Sequence, residues 1–141
     1  EMRARNAIYG GEMSAHHYFR DFNYCDSGMI PLLLIWEFLS TKDFSLHENI
    51  NSRRKKFPSS GEINFNVLDP DKYLHKIDKN YSPIAQSVDR TDGISLSFGN
   101  WRFNVRRSNT EGLLRLNVEA KEDKALLIEK TKELSTLILT N

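Results

Sequence analysis

Hydrophobic and polar residues alternate most regularly on both sides of the segment 106–112. The apolar positions before this segment are Trp101, Phe103 and Val105, and those after it are Leu114, Leu116 and Val118. A period of two places successive side chains on opposite faces of an extended strand. The pattern therefore predicts two half-buried strands that are joined by a polar connection.

The residues from 61 to 141 contain further elements of regular structure. The same alternation predicts three more strands, at 63–67, 85–89 and 94–98. Apolar stripes predict two helices, at about 71–80 and about 122–139. Asp69-Pro70 is a helix start, and Asp92-Gly93 is a hairpin turn. We expect an α+β domain with a mostly antiparallel sheet of four to five strands and two helices on one face.

The first forty residues show a different pattern. Residues 1–5 have the composition of a helix end, and residues 7–9 are a strand candidate that leads into Gly10-Gly11. The segment 26–28 opens a helix whose body, residues 30–39, is apolar on nearly every side, which is typical of a buried helix. Little else in the chain could cover such a helix, so we expect part of its domain to lie outside this sequence.

A polar joint and a second helix connect the two halves. Ser45 can cap a helix that runs to about Lys56, and its last turn carries the basic run 53–56. That run could be a nucleic-acid patch, or it could be a solvated last turn whose cations complement the helix dipole. The segment 57–61 contains Pro58 and Gly61, so we expect the helix to end before it at a domain boundary.

Net charge, cysteine content and the length of apolar stretches argue against several classes of protein. The 141 residues carry a formal net charge of +1, which gives no general basic field for nucleic acid or a membrane surface. The single cysteine, Cys25, cannot form an internal disulfide, so a reducing, cytoplasmic compartment is the simplest expectation. No signal peptide is visible, and the longest apolar stretch, residues 29–36, is far shorter than the roughly 20 residues of a membrane helix.

Two polar loops are candidates for binding chemistry. The segment 106–112 offers Arg106, Ser108 and Thr110, groups that bind phosphate, although an ordinary polar hairpin loop would look the same. The segment 10–17 carries a carboxylate, a hydroxyl and two imidazoles behind a glycine pair. Adjacent histidines in a loop are often merely solvated, and these have no third ligand at a recognisable spacing for a metal.

Read together, these loops resemble a known family. Gly-Glu-Met-Ser-Ala-His at 11–16 and Arg-Arg-Ser-Asn-Thr-Glu at 106–111 are similar to two loops of the bacterial α-D-phosphohexomutases, the phosphomannomutases and phosphoglucomutases. The segments 88–94 and 101–104 also resemble this family. The resemblance covers nearly the whole chain in the right order. It implies the end of the family's third domain at 1–40, a helical linker at 41–60, and the fourth, TBP-like domain at 61–141.

The resemblance also implies roles for individual residues. Gly11, Glu12, Ser14 and His16 would bind the sugar, with Glu12 and Ser14 on its hydroxyls and His16 as a possible general acid or base. The phosphate that is not being transferred would be held by Arg106, Ser108, Asn109 and Thr110. The substrate would be a mannose or glucose 1- or 6-phosphate. The family's phosphoserine donor and its Mg²⁺ loop cannot be placed on this chain, so the chain alone should be inactive and should hold no metal.

Three positions depart from the family pattern. Ala15 stands where many members have Gly, and Gly112 stands where Pro is usual, which should leave the exit of the loop more mobile. Arg107 is an additional cation that either contacts phosphate or points to solvent. Two other readings of the chain remain at this point: a free-standing sugar-phosphate-binding or regulatory module without catalysis, and a nucleic-acid binder that uses residues 53–56 and 101–107.

Overall fold

The structure is a computed structural model that describes residues 1–12, 14–41, 45–108 and 112–140. The chain divides into two compact units, residues 1–49 and residues 50–141. Helix α2 (Leu46–Lys56) begins in the first unit and ends in the second. No helix among the described residues is long and apolar enough to cross a membrane.

The first unit contains a small antiparallel sheet of three strands in the order β1-β2-β3. These strands are β1 (Tyr9–Gly11), β2 (His17–Phe19) and β3 (Cys25–Asp26). The strand predicted at 7–9 is therefore displaced, because the glycine pair itself forms ladder positions opposite His17 and Tyr18. The helix end predicted at 1–5 agrees with a hydrogen-bond pattern typical of a helix C-terminus, in which the Ala7 N–H donates to the Met2 carbonyl at 3.0 Å and the Asn6 N–H donates to the Arg3 carbonyl at 3.3 Å. Residues 2–6 form turns, and Asn6 has a left-handed φ of 48°.

Helix α1 (Met29–Thr41) confirms the apolar helix predicted from the sequence. Its first turn is capped by Ser27, whose Oγ accepts a hydrogen bond from the Ile30 N–H at 3.3 Å. None of its residues is buried within this chain, and Trp36 is 67% exposed. The expected burial is therefore not provided by the residues of this unit.

Helix α2 begins with a reciprocal cap. The Glu48 N–H donates to Ser45 Oγ at 3.1 Å, and the Ser45 N–H donates to the Glu48 carboxylate at 3.3 Å. This arrangement satisfies two N–H groups that the first turn leaves without helical partners. The basic residues 53–56 form the last turn of the helix and are exposed, as they would be on a solvated helix end.

The second unit is built on a five-stranded sheet in the order β4-β8-β7-β6-β5, and every pairing is antiparallel. The strands are β4 (Ile63–Asn66), β5 (Ser87–Asp89), β6 (Ile94–Ser97), β7 (Trp101–Arg107) and β8 (Leu113–Ala120). The helices are α3 (Pro70–Tyr81) and α4 (Lys124–Leu139), which are capped by Asp69 and Asp123. Each strand and helix predicted for this half is present.

The two faces of this sheet differ in polarity. One face carries Phe103, Val105 and Leu116, which are buried with Ile77 of α3 and Leu134 of α4 in a single core. Because side chains alternate along a strand, the opposite face carries the polar neighbours of these residues. The α+β class with both helices on one face is therefore confirmed, and a polar sheet face is left beside the β7–β8 connection.

Candidate functional site

The β1–β2 connection is a tight turn that contains the first predicted loop. The Glu12 N–H donates to the His16 carbonyl, and the Ala15 N–H donates to the Glu12 carbonyl, both at 3.0 Å. Ala15 takes a left-handed φ of 64°, a conformation that glycine adopts more readily. The turn contains Gly11, Glu12, Ser14 and His16, the residues predicted to bind the sugar, while Met13 lies outside the described residues.

Glu12 is the centre of a hydroxyl-rich cluster at this turn. One carboxylate oxygen accepts a hydrogen bond from Ser14 Oγ at 3.1 Å, and the other accepts one from the Tyr18 hydroxyl at 2.9 Å. The hydrogen bond to Glu12 raises the pKa of Tyr18 above its usual value, so the phenol keeps its proton. An exposed carboxylate with two adjacent hydroxyl groups can exchange these bonds for the hydroxyl groups of a ligand.

His16 is paired with a carboxylate that comes from β3. Its Nδ1 lies 2.6 Å from Asp26 Oδ2, and the other oxygen of Asp26 accepts the His17 backbone N–H at 2.9 Å. The hydrogen bond between the two side chains and the charge of Asp26 raise the pKa of His16. The same hydrogen bond and the one from the His17 N–H lower the pKa of Asp26. The His16 side chain remains 53% exposed. An imidazole that a carboxylate orients, and whose protonated form that carboxylate favours, can donate a hydrogen bond or a proton to a bound oxygen at this solvent-facing turn.

Sequence reasoning missed Asp26 and Tyr18 as members of this cluster. Asp-Ser before an apolar run is a capping pattern, so the sequence predicts that Asp26 lies at the start of a helix. The β2–β3 pairing places Asp26 opposite Tyr18 and so beside His16, ten residues away in sequence. A Tyr at 18 and an Asp at 26 carry no local pattern that would reveal this contact.

Gly11 and His17 have structural roles at the same turn. A Cβ on Gly11 would lie 2.8 Å from the Tyr9 hydroxyl oxygen, which itself lies 2.7 Å from His17 Nδ1. Glycine therefore leaves room for the Tyr9 side chain to reach His17. The two adjacent histidines consequently have different partners, a phenol for His17 and a carboxylate for His16.

The second predicted loop connects β7 to β8 in the second unit. The Ser108 N–H donates to the Leu113 carbonyl at 2.8 Å, which extends the ladder beyond the last paired residues of the two strands. Ser108 is only 5% exposed. The predicted residues Asn109 and Thr110 lie outside the described residues, as does Glu111.

Arg106 and Arg107 lie on opposite faces of the sheet. Arg106 is on the polar face, where its guanidinium nitrogens lie 3.5 Å from Glu62 and 3.7 Å from Asp92. Arg107 is on the helix side and forms a 3.2 Å ion pair with Asp71 of α3. Its side chain is 58% exposed, against 24% for Arg106. The two cations therefore cannot serve the same ligand in equivalent ways.

Two clefts of the second unit are lined by residues outside the described part of the predicted phosphate loop. A cleft of about 420 Å³ lies beside Phe57, Trp101 and the turn at 99–100, and a larger one of about 820 Å³ lies between the end of α2 and the start of α4. An anion site at the tip of a hairpin turn uses exposed N–H groups and polar side chains and needs no deep cavity. The described residues contain no group of three or more His, Cys, Asp or Glu side chains arranged to hold a metal ion.

Both halves of the chain match sequence profiles of known protein domains. A sequence profile described as "Phosphoglucomutase/phosphomannomutase, alpha/beta/alpha domain III" matches residues 1–57. A second profile, "Phosphoglucomutase/phosphomannomutase, C-terminal domain", matches residues 62–133. The chain also resembles a solved phosphoglucomutase/phosphomannomutase family protein from Burkholderia thailandensis, with a TM-score of 0.73 and 22% identity over 99% of this chain and 30% of that one. This likeness supports the fold.

Curated relatives with mutase names have a higher sequence identity to this chain. A "Phosphomannomutase" of Escherichia coli (strain K12) is 53% identical over 97% of this chain and 30% of its own length. "Phosphohexose mutases" of Xanthomonas campestris pv. campestris (strain B100) is 55% identical over 98% of this chain and 31% of its own length. The chain thus spans about a third of the length of these relatives. Since two successive profiles of one family cover most of its residues, the chain belongs to the phosphoglucomutase/phosphomannomutase family.

Proposed function

We propose that this chain is the C-terminal, ligand-binding part of a phosphohexomutase of the phosphomannomutase type. The complete enzyme interconverts a hexose 6-phosphate and a hexose 1-phosphate through a bisphosphate intermediate, and it supplies mannose 1-phosphate for GDP-mannose synthesis. The observation that carries the proposal is that Glu12 and Ser14 share a hydrogen bond at the β1–β2 turn, while Arg106 and Ser108 stand where β7 ends and leads into the second family-like loop.

The first turn would bind the sugar. Glu12 and Ser14 already share a hydrogen bond, and both groups can turn to the hydroxyls of a hexose ring. His16 would lie near the reacting oxygen, where the Asp26 carboxylate orients its imidazole and favours its protonated form. It would donate a proton or a hydrogen bond to that oxygen as the phosphoryl group moves. Asp26 acts through His16 and is therefore a positioning residue.

The β7–β8 turn would hold the phosphate that is not being transferred. Arg106 supplies a forked set of N–H donors, and Ser108, Asn109 and Thr110 supply the remaining polar groups of an anion site. The role of these residues is to hold the sugar in place while chemistry occurs at its other end, which is much of what phosphoryl transfer requires from a protein.

The phosphoryl donor and the metal belong to other parts of the proposed enzyme. The family resemblance implies a phosphoserine and a Mg²⁺ ion in preceding domains, and the Mg²⁺ would neutralise charge on the transferred group. The described residues of this chain do not fit such an ion, because they form no cluster of metal ligands. The partners of this chain would therefore be the hexose phosphate and the other domains of the same enzyme.

The test compares the two adjacent arginines in the complete enzyme. Arg106→Ala removes a charge-assisted contact worth about 1.5–3 kcal/mol, so we expect kcat/KM for mannose 1-phosphate to fall roughly tenfold to a hundredfold. Arg106→Lys should restore only part of the lost kcat/KM, since an ammonium cannot make a forked contact. Arg107→Ala, on the opposite face of the sheet, is the matched control and should cost less. A larger loss for Arg107→Ala would contradict the assignment.

A further inference from the structure

Two arginines face each other across β7 and β8 on the polar side of the sheet. Arg106 and Arg115 are register partners, and their side chains are only 24% and 26% exposed. Like charges directly opposite each other in antiparallel strands repel, and the repulsion increases as water is excluded. This pairing therefore needs a negative charge close to both guanidinium groups.

Glu62, the residue before β4, provides that charge. Its Oε2 lies 3.5 Å from Arg106 Nη2, and its Oε1 lies 3.6 Å from Arg115 Nη1. The pairing of β4 with β8 brings Glu62 to the polar face, because Ile63, which points to the core side, pairs with Leu116. One carboxylate thus bridges two guanidinium groups, with a separate oxygen for each.

Asp92 contacts the Nε atom of Arg106. Its Oδ2 lies 3.7 Å from this atom, and its backbone carbonyl accepts a hydrogen bond from Asn104 Nδ2 at 2.9 Å. The guanidinium is therefore held between two carboxylates. Both contacts are longer than the 2.7–2.9 Å of a charge-assisted hydrogen bond. They orient the group while leaving its N–H donors available for a stronger acceptor.

We propose that Glu62 is a positioning residue that holds the Arg106 guanidinium for the substrate phosphate and screens it from Arg115. This inference rests on the proposed function, because it assumes that Arg106 binds that phosphate. Without the Glu62 charge, Arg115 repels Arg106. The Arg106 side chain then gains conformations, and the phosphate must restrict them when it binds. The same phosphate is bound in the ground state and in the transition state, so the loss falls on KM rather than on kcat.

The experiment is Glu62→Gln in the complete enzyme. We expect KM for mannose 1-phosphate to rise about fivefold to tenfold while kcat stays within about twofold. Glu62→Asp keeps the charge and should stay within about threefold of the wild-type KM, which separates charge from packing. Glu119→Gln is the matched control, because Glu119 pairs with Arg102 at 2.7 Å on the same face of the same two strands. Its KM should be unchanged.

A double-mutant cycle decides whether Glu62 acts through Arg106. In an Arg106→Ala background, Glu62→Gln should change KM by less than about twofold. The inference is overturned if Glu62→Gln leaves KM unchanged or lowers it, or if it raises KM equally in both backgrounds. If Arg106→Ala itself leaves KM unchanged, the proposed phosphate role fails. If Arg106→Ala raises KM and Glu62→Gln does not, only the present inference fails. Thermal unfolding of each variant identifies any general loss of fold.

Discussion

Gly93 lies against Arg106 across the β6–β7 pair, so closely that a Cβ on Gly93 would sit 2.6 Å from Arg106 Cβ and 2.4 Å from the Val105 carbonyl oxygen. Gly93 also has a left-handed φ of 71°. Both features exclude a side chain at this position without movement of the backbone. The Asp92-Gly93 turn therefore sets the position of the strand that carries Arg106.

Gly93→Ala should destabilise the second unit by about 2–5 kcal/mol, because a left-handed non-glycine residue costs ~1–2 kcal/mol and overpacking costs ~1–3 kcal/mol. Gly61→Ala is the control, since Gly61 has a similar φ of 68° but no atom within 4 Å of an added Cβ. This substitution should cost only the ~1–2 kcal/mol of the left-handed conformation. Urea unfolding measures the loss of unfolding free energy for both variants. A Trp36→Phe background leaves Trp101 as the tryptophan that reports unfolding of the second unit. Equal losses would contradict the steric argument.

Asp26→Asn should lower the pKa of His16. The Asp26 hydrogen bond and charge raise this pKa above its usual value, so His16 stays protonated to higher pH and loses its charge as pH rises through the raised pKa. Asparagine cannot supply the charge, and the titration midpoint should therefore move to lower pH. NMR titration of the His16 Cε1 proton measures the shift. Asp21→Asn, which removes the partner of Arg20, should leave the midpoint unchanged.

Glu12→Gln in the complete enzyme should weaken the use of mannose 1-phosphate and glucose 1-phosphate by similar factors. The two sugars differ at the 2-hydroxyl, whereas the family resemblance assigns Glu12 and Ser14 to the 3- and 4-hydroxyls. The replaced carboxylate would be an acceptor in both complexes, so a loss of about 1–3 kcal/mol should be common to them. Measured kcat/KM values for both sugars test this. A loss tenfold larger for one sugar would mean that Glu12 senses the 2-hydroxyl.

The 141-residue chain on its own should not interconvert hexose phosphates. Its proposed residues would bind and position the sugar, and the described residues form no group of three or more metal-ligating side chains. A coupled assay with mannose 1-phosphate, magnesium and a hexose bisphosphate primer should show no turnover above background. Activity of the purified chain would contradict the proposal that the phosphoryl donor lies in other domains.

The regular elements of the second unit could be predicted because their signals are local. Alternation within β7 and β8 places Phe103 and Leu116 in the core, and Asp69 caps α3 by accepting the Lys72 N–H at 3.1 Å. Strand boundaries were less predictable in the first unit. The glycines at 10 and 11 indicate a loop by composition, yet pairing with β2 makes them strand residues.

The amino-acid sequence was sufficient to predict which residue types the two turns carry, the order of the helices and strands in the second unit, and the apolar character of α1. The contacts that orient the functional groups depend on the tertiary structure. His16 contacts Asp26, and Arg106 contacts Glu62, because strand pairing brings distant segments together. Such pairs carry no spacing signal, because a carboxylate that orients a cation looks the same in sequence as one that caps a helix or faces solvent. The opposite placement of Arg106 and Arg107 follows from strand geometry, but their different partners depend on packing that no local pattern contains.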